Sequence, residues 1–233
     1  MKNKSDTLEI SVSRRHFLLS ASWATAALVA KPLAGMRAWA QENPVRTDAS
    51  GTMCLWSDRP AKTWMTEALP IGNGRMGAML FGGTETERVQ FNEISLWTGD
   101  RVAGSRGQGI EDRMGAFQAF GDIFIHLGHD FSKVTDYRQE LDIDRAVHQA
   151  AYECNGVRYQ RTAFASYPDG VIVIHLTANK PAACSGRIQL ADMHQARIGA
   201  EGSTLSSVGK LRNGFEYEAQ LLVLNTRPCP EVT

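Results

Sequence analysis

Beyond residue 52 the chain is written mostly in alternation, with apolar and polar residues trading places at a period of two. That period places one side-chain set on each face of a strand, so half-buried strands are expected rather than helices. The clearest case begins at Val147: Val147, Gln149, Ala151 and Glu153 interleave with His148, Ala150, Tyr152 and Cys154. Asn155-Gly156 follows, a pair whose tolerance of positive φ suits the centre of a two-residue hairpin turn, and the alternation resumes over 157–164. Tyr167-Pro168-Asp169-Gly170 marks another turn, and the run Val171-Ile172-Val173-Ile174-His175-Leu176 is apolar on both phases, as in a strand buried on both faces. Lys180-Pro181 turns the chain again, a strand is expected over 187–190, and Asn213-Gly214 precedes another over 215–224.

Upstream, 53–56 reads as a first strand. The apolar run 77–81 and the alternating run 88–92 read as a hairpin joined through 82–86, which contains Gly82-Gly83. The glycine-rich span 99–109 has no periodicity and reads as a loop, and 111–121 reads as one or two helical turns weakened by Gly115. Many short strands about ten residues apart, with no strand–helix alternation, predict an all-β fold: one large antiparallel β-sandwich of the supersandwich kind over residues 53–225. A polar, turn-rich lead over 41–52 precedes it, and the irregular tail 226–233, with Pro228 and Pro230, does not continue the pattern, so the expectation is a domain cut short.

The first 40 residues are built differently. Ser13-Arg14-Arg15-His16-Phe17-Leu18 is a twin-arginine pattern, an Ala- and Ser-rich apolar run follows from Leu18 to Ala30, and Ala38-Trp39-Ala40 is a small-x-small sequence. Together these predict a cleavable signal segment over 1–40, cut before Gln41, with Arg14 and Arg15 as the export motif and Ala38 and Ala40 as the cleavage motif. The apolar run is shorter than the ~20 residues a bilayer span requires, so no stable membrane span is expected after processing. The paired arginines favour twin-arginine export over the general route, and with it a periplasmic or secreted destination.

Charge sharpens this division. Of 25 Lys/Arg and 25 Asp/Glu, residues 1–40 hold six basic and two acidic side chains, leaving a mildly acidic body of 19 against 23. Scattered charges of both signs do not make a phosphate-binding surface, so nucleic acid is not an expected partner. Cys54, Cys154, Cys184 and Cys229 lie far apart without a C-x-x-C pair, which leaves three disulfide pairings or buried thiols open.

Candidate chemistry is sparse. Glu140, Asp142 and Asp144 would share one strand face with neighbours ~6.5–7 Å apart, but parallel side chains cannot flank a sugar as a catalytic pair must, and a solvated strand face is the reading. Six scattered histidines, including His126 and His129, show no ligand spacing, and no metal or other cofactor is expected. Gly72-x-Gly74-x-x-Gly77 matches the dinucleotide fingerprint in letters, yet Pro70 precedes it and a strand follows it, so the glycines are read as shaping the hairpin entry. Trp56, Trp64 and Trp97 are candidate sugar platforms, with a place in the core the stronger expectation for any one of them.

Several of these segments also resemble a known family. Leu55-Trp56, Glu67-Ala68-Leu69-Pro70-Ile71-Gly72-Asn73-Gly74-Arg75-Met76-Gly77, Gln90-Phe91-Asn92-Glu93 and Leu96-Trp97-Thr98-Gly99 are similar to the start of glycoside hydrolase family 95. Tyr137-Arg138-Gln139-Glu140-Leu141-Asp142, Asn155-Gly156-Val157 and Tyr159-x-Arg161-x-x-Phe164-x-Ser166-x-Pro168-Asp169 extend the likeness across 53–224. The resemblance implies an inverting exo-acting α-L-fucosidase or α-L-galactosidase working on glycans, whose acid and base lie in a helical barrel that follows the sandwich. No residue of this chain matches those catalytic positions, so none is assigned, and the chain alone is expected to be inactive. Asn73, Arg75, Asn92, Glu93 and Trp97 are the candidates for the sugar-pocket rim or for bracing the barrel, with Gly74 and Gly77 shaping that edge. A stand-alone secreted carbohydrate-binding module is the second reading.

Overall fold

A computed structural model describes residues 7–11, 15–20, 53–99 and 115–225. Seventeen strands occur among them, and the only helical element there is the 3-10 turn Phe131–Lys133. Six strands form one antiparallel sheet in the order β1 (Thr7–Ser11), β14 (Ser185–Asp192), β9 (Gly121–His126), β6 (Thr86–Glu93), β5 (Met76–Leu80), β4 (Leu69–Gly72). Nine form a second antiparallel sheet: β15 (Arg197–Glu201), β16 (Thr204–Lys210), β17 (Glu216–Asn225), β2 (Arg15–Ser20), β13 (Val171–Ala178), β12 (Val157–Ser166), β11 (Val147–Cys154), β10 (Val134–Asp142) and β3 (Cys54–Ser57). A two-stranded ribbon, β7 (Trp97–Thr98) with β8 (Ala116–Phe117), completes the set.

The core lies between the two large sheets and can be followed along the ladders. Leu69, Leu80, Val89, Ile123 and Leu190 occupy one register row across five strands of the six-stranded sheet, and all are buried. Facing them in the other sheet, Leu141, His148, Ala163 and Ile174 form a row, as do Gln139, Ala150, Arg161 and Leu176. Burial of these rows is the main stabilising term, as for any sandwich.

The strand pattern read from the sequence holds for the predicted β11–β12 hairpin, where Asn155 and Gly156 both have positive φ (52° and 69°), and for β5–β6. At Gly83 a Cβ would collide with the carbonyl oxygen of Thr86, which explains a glycine in that connection. Elsewhere the structure corrects the expectation. Helical turns over 111–121 are absent from the described part: Ala116–Phe117 and Gly121–His126 are strands. Ile123 and Ile125 both face the core, a period of two that fits the place of β9 between β6 and β14, and a Cβ on Gly121 would strike the Ala191 carbonyl oxygen. Leu69–Gly72 is also a strand despite Pro70, because β4 is an edge strand, where a missing N–H donor is tolerated.

Arg15 begins β2, while Arg14 and the motif at Ala38 and Ala40 lie outside the described residues, as do 41–52, 226–233 and Cys229. No disulfide joins Cys54, Cys154 and Cys184. Among the described residues no helix is long and apolar enough to cross a membrane.

One ion pair bridges the two sheets through the core. The Arg161 Nη2 on β12 donates to the Glu87 Oε2 on β6 at 2.7 Å, with both side chains sealed from solvent. Glu87 Oε1 accepts from the backbone N–H of Phe81 and Gly82, each at 3.2 Å, and Arg161 Nη1 donates to the Gly83 carbonyl oxygen at 3.2 Å. Burial pushes the Glu87 carboxyl up, while Arg161 and the backbone donors pull the other way. Breaking such a pair leaves an uncompensated buried charge, so Glu87→Ala or Arg161→Ala is expected to lower stability by about 3–5 kcal/mol. A Glu87→Leu/Arg161→Met double variant should lose markedly less, as read from urea unfolding midpoints.

His148 lies fully buried in the same core with neither ring nitrogen hydrogen-bonded. Burial, helped by the Arg161 charge, pushes its pKa from 6.5 down to about 3. Below pH 6.5 the unfolded chain binds a proton that the folded chain refuses, so stability present above that pH is lost as pH falls towards 3. The loss approaches about 1.4 kcal/mol per pH unit. His148→Leu is expected to flatten that part of the pH dependence between pH 6.5 and 4, as measured by the difference in unfolding free energy between variant and parent.

Candidate functional site

The tight turn from β4 to β5 carries Asn73, Gly74 and Arg75 at one end of the sandwich. Gly74 has φ +86°, a left-handed position that favours glycine. The Asn73 Oδ1 closes the turn by accepting from the backbone N–H of Arg75 (3.1 Å) and Met76 (2.8 Å), while its Nδ2 donates to the Ser166 carbonyl oxygen at 2.8 Å. Asn73 therefore ties this edge to the end of β12 in the opposite sheet. The turn joins two strands, so the Gly-x-Gly-x-x-Gly letters open no helix that could receive a pyrophosphate.

The end of β6 packs beside that turn. Glu93 is in phase with Glu87, Val89 and Phe91 and, like them, is buried. Its Oε1 accepts from Arg75 Nε at 2.9 Å, and its Oε2 accepts from the Ser95 backbone N–H at 2.8 Å and from the Ser95 hydroxyl. Asn92 Oδ1 accepts from the Glu93 N–H at 2.9 Å. The backbone of Ile94 carries the connection outward: its N–H donates to the Arg75 carbonyl oxygen (2.9 Å), and its carbonyl oxygen accepts from Trp97 Nε1 (2.8 Å).

The structure thus brings Asn73, Arg75, Glu93 and Trp97 into one hydrogen-bonded network, with Asn92 adjoining it. Three participants were not apparent in the sequence. Ile94 links the two halves; Phe117 lies against Trp97 with ring centroids 5.5 Å apart; and Asn213 Nδ2 donates to the carbonyl oxygens of Trp97 and Gly99 at 3.0 and 3.1 Å. Asn213 could be sought only as a turn residue, and its second use depends on a contact more than a hundred positions away.

Chemically this edge combines a buried, hydrogen-bonded carboxylate with an exposed guanidinium and exposed rings. Both oxygens of Glu93 are engaged, which fixes its carboxylate between the turn and the Ser95 connection. The network's outward surface is apolar: Ile94 (59%), Trp97 (47%) and Phe117 (48%) are exposed beside the exposed Arg75 guanidinium. Trp56 and Trp64 are exposed as well, so the expectation of core tryptophans fails for all three candidates. Trp97 is held by its indole N–H and Trp56 lies under the Arg138 guanidinium, 4.8 Å from its ring centre; surface positions are where such polar handles are met.

The remaining candidates separate. Glu140 is buried and accepts from Arg138 Nε at 2.8 Å, which corrects the reading of a solvated acidic face; Asp142 instead caps the following turn through the Arg145 N–H. His126 meets the Thr86 hydroxyl, and His129 meets the Tyr152 hydroxyl, each through Nδ1. Burial, with a smaller push from Arg161, depresses the His129 pKa. Among the described residues no group of three or more His, Cys, Asp or Glu side chains is placed to hold a metal ion.

Three relatives share long stretches with the chain. It is 30% identical over 177 residues to α-L-fucosidase 2 of Arabidopsis thaliana, covering 63% of this chain and 21% of that protein. It is 28% identical over 207 residues to a probable α-fucosidase A of Aspergillus niger, covering 73% and 26%, and 27% identical over 157 residues to a probable α-fucosidase A of Aspergillus oryzae, covering 53% and 21%. The chain therefore spans about a fifth to a quarter of the length of these relatives. Residues 55–112 and 103–228 match the N-terminal domain of glycosyl hydrolase family 65. The chain belongs to the glycosyl hydrolase family 65 N-terminal domain family.

Proposed function

We propose that this chain is the non-catalytic N-terminal sandwich of an exported, family 95-type exo-glycosidase that removes terminal L-fucose, or L-galactose, from glycans with inversion. In this reading the chemistry belongs to a helical barrel outside the chain. The sandwich supplies the rim or brace against which the barrel sits, through Asn73, Arg75, Asn92, Glu93 and Trp97. The observation that carries the reading is the consumption of the Glu93 carboxylate by Arg75 and Ser95 directly behind an exposed apolar patch of Ile94, Trp97 and Phe117. Such an arrangement fixes a surface for another body and offers no proton donor. The fucosidase names of the relatives support the choice of sugar.

The exposed Trp97 and Phe117 rings also support a second reading, a secreted sugar-binding module, since ring faces stack on the C–H faces of pyranoses. Two measurements separate the readings. The purified 233-residue chain is expected to release no fucose from a fucosylated oligosaccharide and to give no binding heat with it in calorimetry. Release of fucose would refute the non-catalytic assignment, and binding abolished by Trp97→Ala would move the assignment to the module.

Export is expected through residues 1–40, followed by cleavage before Gln41. Replacing Arg14 and Arg15 by lysines should retain the precursor in the cytoplasm, as read by fractionation; unchanged export would remove the twin-arginine route.

A further inference from the structure

The sequence contains three Asn-Gly pairs: Asn73-Gly74, Asn155-Gly156 and Asn213-Gly214. All three carry the same latent chemistry. The backbone nitrogen of the glycine can reach the amide carbon Cγ of the asparagine before it, and glycine has no Cβ to hinder the approach. Attack of that nitrogen on Cγ closes a five-membered imide. Since the reacting dipeptide is identical, the folded structure decides which pair reacts.

The hydrogen bonds separate the three. Asn73 is half-buried and held at both ends of its amide: Oδ1 accepts from the N–H of Arg75 and Met76, and Nδ2 donates to the Ser166 carbonyl oxygen. Asn213 is exposed but equally occupied. Its Nδ2 donates to the carbonyl oxygens of Trp97 and Gly99, its Oδ1 accepts from the Phe215 N–H at 3.2 Å, and the Gly214 N–H donates to the Leu211 carbonyl oxygen at 3.0 Å. In neither case can Cγ swing onto the glycine nitrogen without breaking bonds already made. Asn155 is different. It is exposed at the tip of the β11–β12 hairpin, and among the described residues neither its side chain nor the Gly156 N–H has a hydrogen-bond partner.

A positive charge stands beside that pair. A Cβ built on Gly156 would lie 3.9 Å from Lys180 Nζ, which places the exposed ammonium next to the reacting peptide. Such a cation favours both loss of the Gly156 amide proton and the oxyanion formed on Cγ. The lysine next to Gly214, Lys210, is instead paired with Glu216 at 3.1 Å.

We propose that Asn155 is a spontaneous modification site of the folded chain, converted through a succinimide to aspartate and isoaspartate, with Lys180 promoting the reaction. The Gly156 nitrogen gives its proton to solvent hydroxide, and its electron pair forms the N–Cγ bond. The Cγ–Nδ2 bond breaks, and Nδ2 takes a proton from water and leaves as ammonia. Water then opens the ring. Cleavage of N–Cγ gives aspartate; cleavage of the bond from that nitrogen to the main-chain carbonyl carbon gives isoaspartate. Water is consumed, ammonia is released and nothing is oxidised or reduced. Aspartate tolerates the positive φ of this position (52°) and sets a carboxylate beside Lys180. Isoaspartate adds a main-chain atom to a two-residue turn closed by the Cys154–Val157 pair, a length that the hairpin cannot absorb without local opening.

The test is peptide mapping by mass spectrometry of the purified 233-residue chain, aged in mildly alkaline buffer with and without urea. In urea the three pairs should react at similar rates, which shows that sequence alone does not rank them. In the folded chain Asn155 should convert on the order of 100-fold faster than Asn73 and about 10-fold faster than Asn213. Lys180→Gln should slow the folded chain's reaction at Asn155 about threefold and leave Asn213 unchanged. Equal rates at the three pairs in the folded chain, or earlier conversion of Asn73 or Asn213, would overturn the site. An unchanged rate in Lys180→Gln would overturn the part given to the lysine.

Discussion

The ion pair between Glu87 and Arg161 is the constraint around which the sandwich is assembled. Among the described residues it is the one place where a carboxylate of the six-stranded sheet and a guanidinium of the nine-stranded sheet meet with no solvent to share the charge. Each partner also holds backbone groups of the Phe81–Gly83 connection, so the pair fixes the distance between sheets, their lateral register and the path of one hairpin loop together. Packed apolar rows supply more free energy, but they tolerate sliding; a buried charge with a single partner does not. Tyr137 adds to the same knot by donating to the Gly82 carbonyl oxygen, and Asp192 holds the far end of the sandwich through the Tyr217 hydroxyl. Burial, with Asp192 adding to it, keeps that phenol protonated at any ordinary pH.

The candidate edge inherits its order from this frame. β6 places Glu87 at one end and Glu93 six residues on, in the same inward phase. The first glutamate joins the sheets; the second joins a turn to the loop that presents Trp97. One strand therefore couples the core to the surface proposed to face the barrel. A displacement of β6 by one residue would turn both carboxylates to the opposite face.

Much of the fold was legible in the sequence, for a physical reason. β11, β12 and β13 carry strong alternation or a doubly apolar run, and Asn155-Gly156 allows few other backbone paths. β4 and β9 were hidden because Pro70 and Gly121 are weak strand residues taken alone, and only their places in the sheet make them suitable. β15 and β16 are short, polar strands at the side of the larger sheet, with too few apolar positions to show a period. Of the candidate site, the motif residues Asn73, Arg75, Asn92, Glu93 and Trp97 were named from the sequence, and the structure gathers them at one edge. What escaped was Glu87 with Arg161, separated by 74 positions and lying on different sheets. A signal was present: each is a charged residue in the inward phase of an otherwise apolar alternation, and such a position demands an opposite partner somewhere. Sequence order could not say where.

The seat of β2 also bears on the order of synthesis. A strand from the first twenty residues lies between two strands whose sequences begin at Val171 and Glu216. Contacts of such long sequence separation form late, after the local hairpins from β10 to β13 have closed. During translation the amino-terminal segment must wait, unpaired, until the ribosome has released almost the whole domain. Over that interval residues 15–20 are free of the sheet. The topology thus makes the seating of β2 a late step, governed by relative rates as well as by equilibrium.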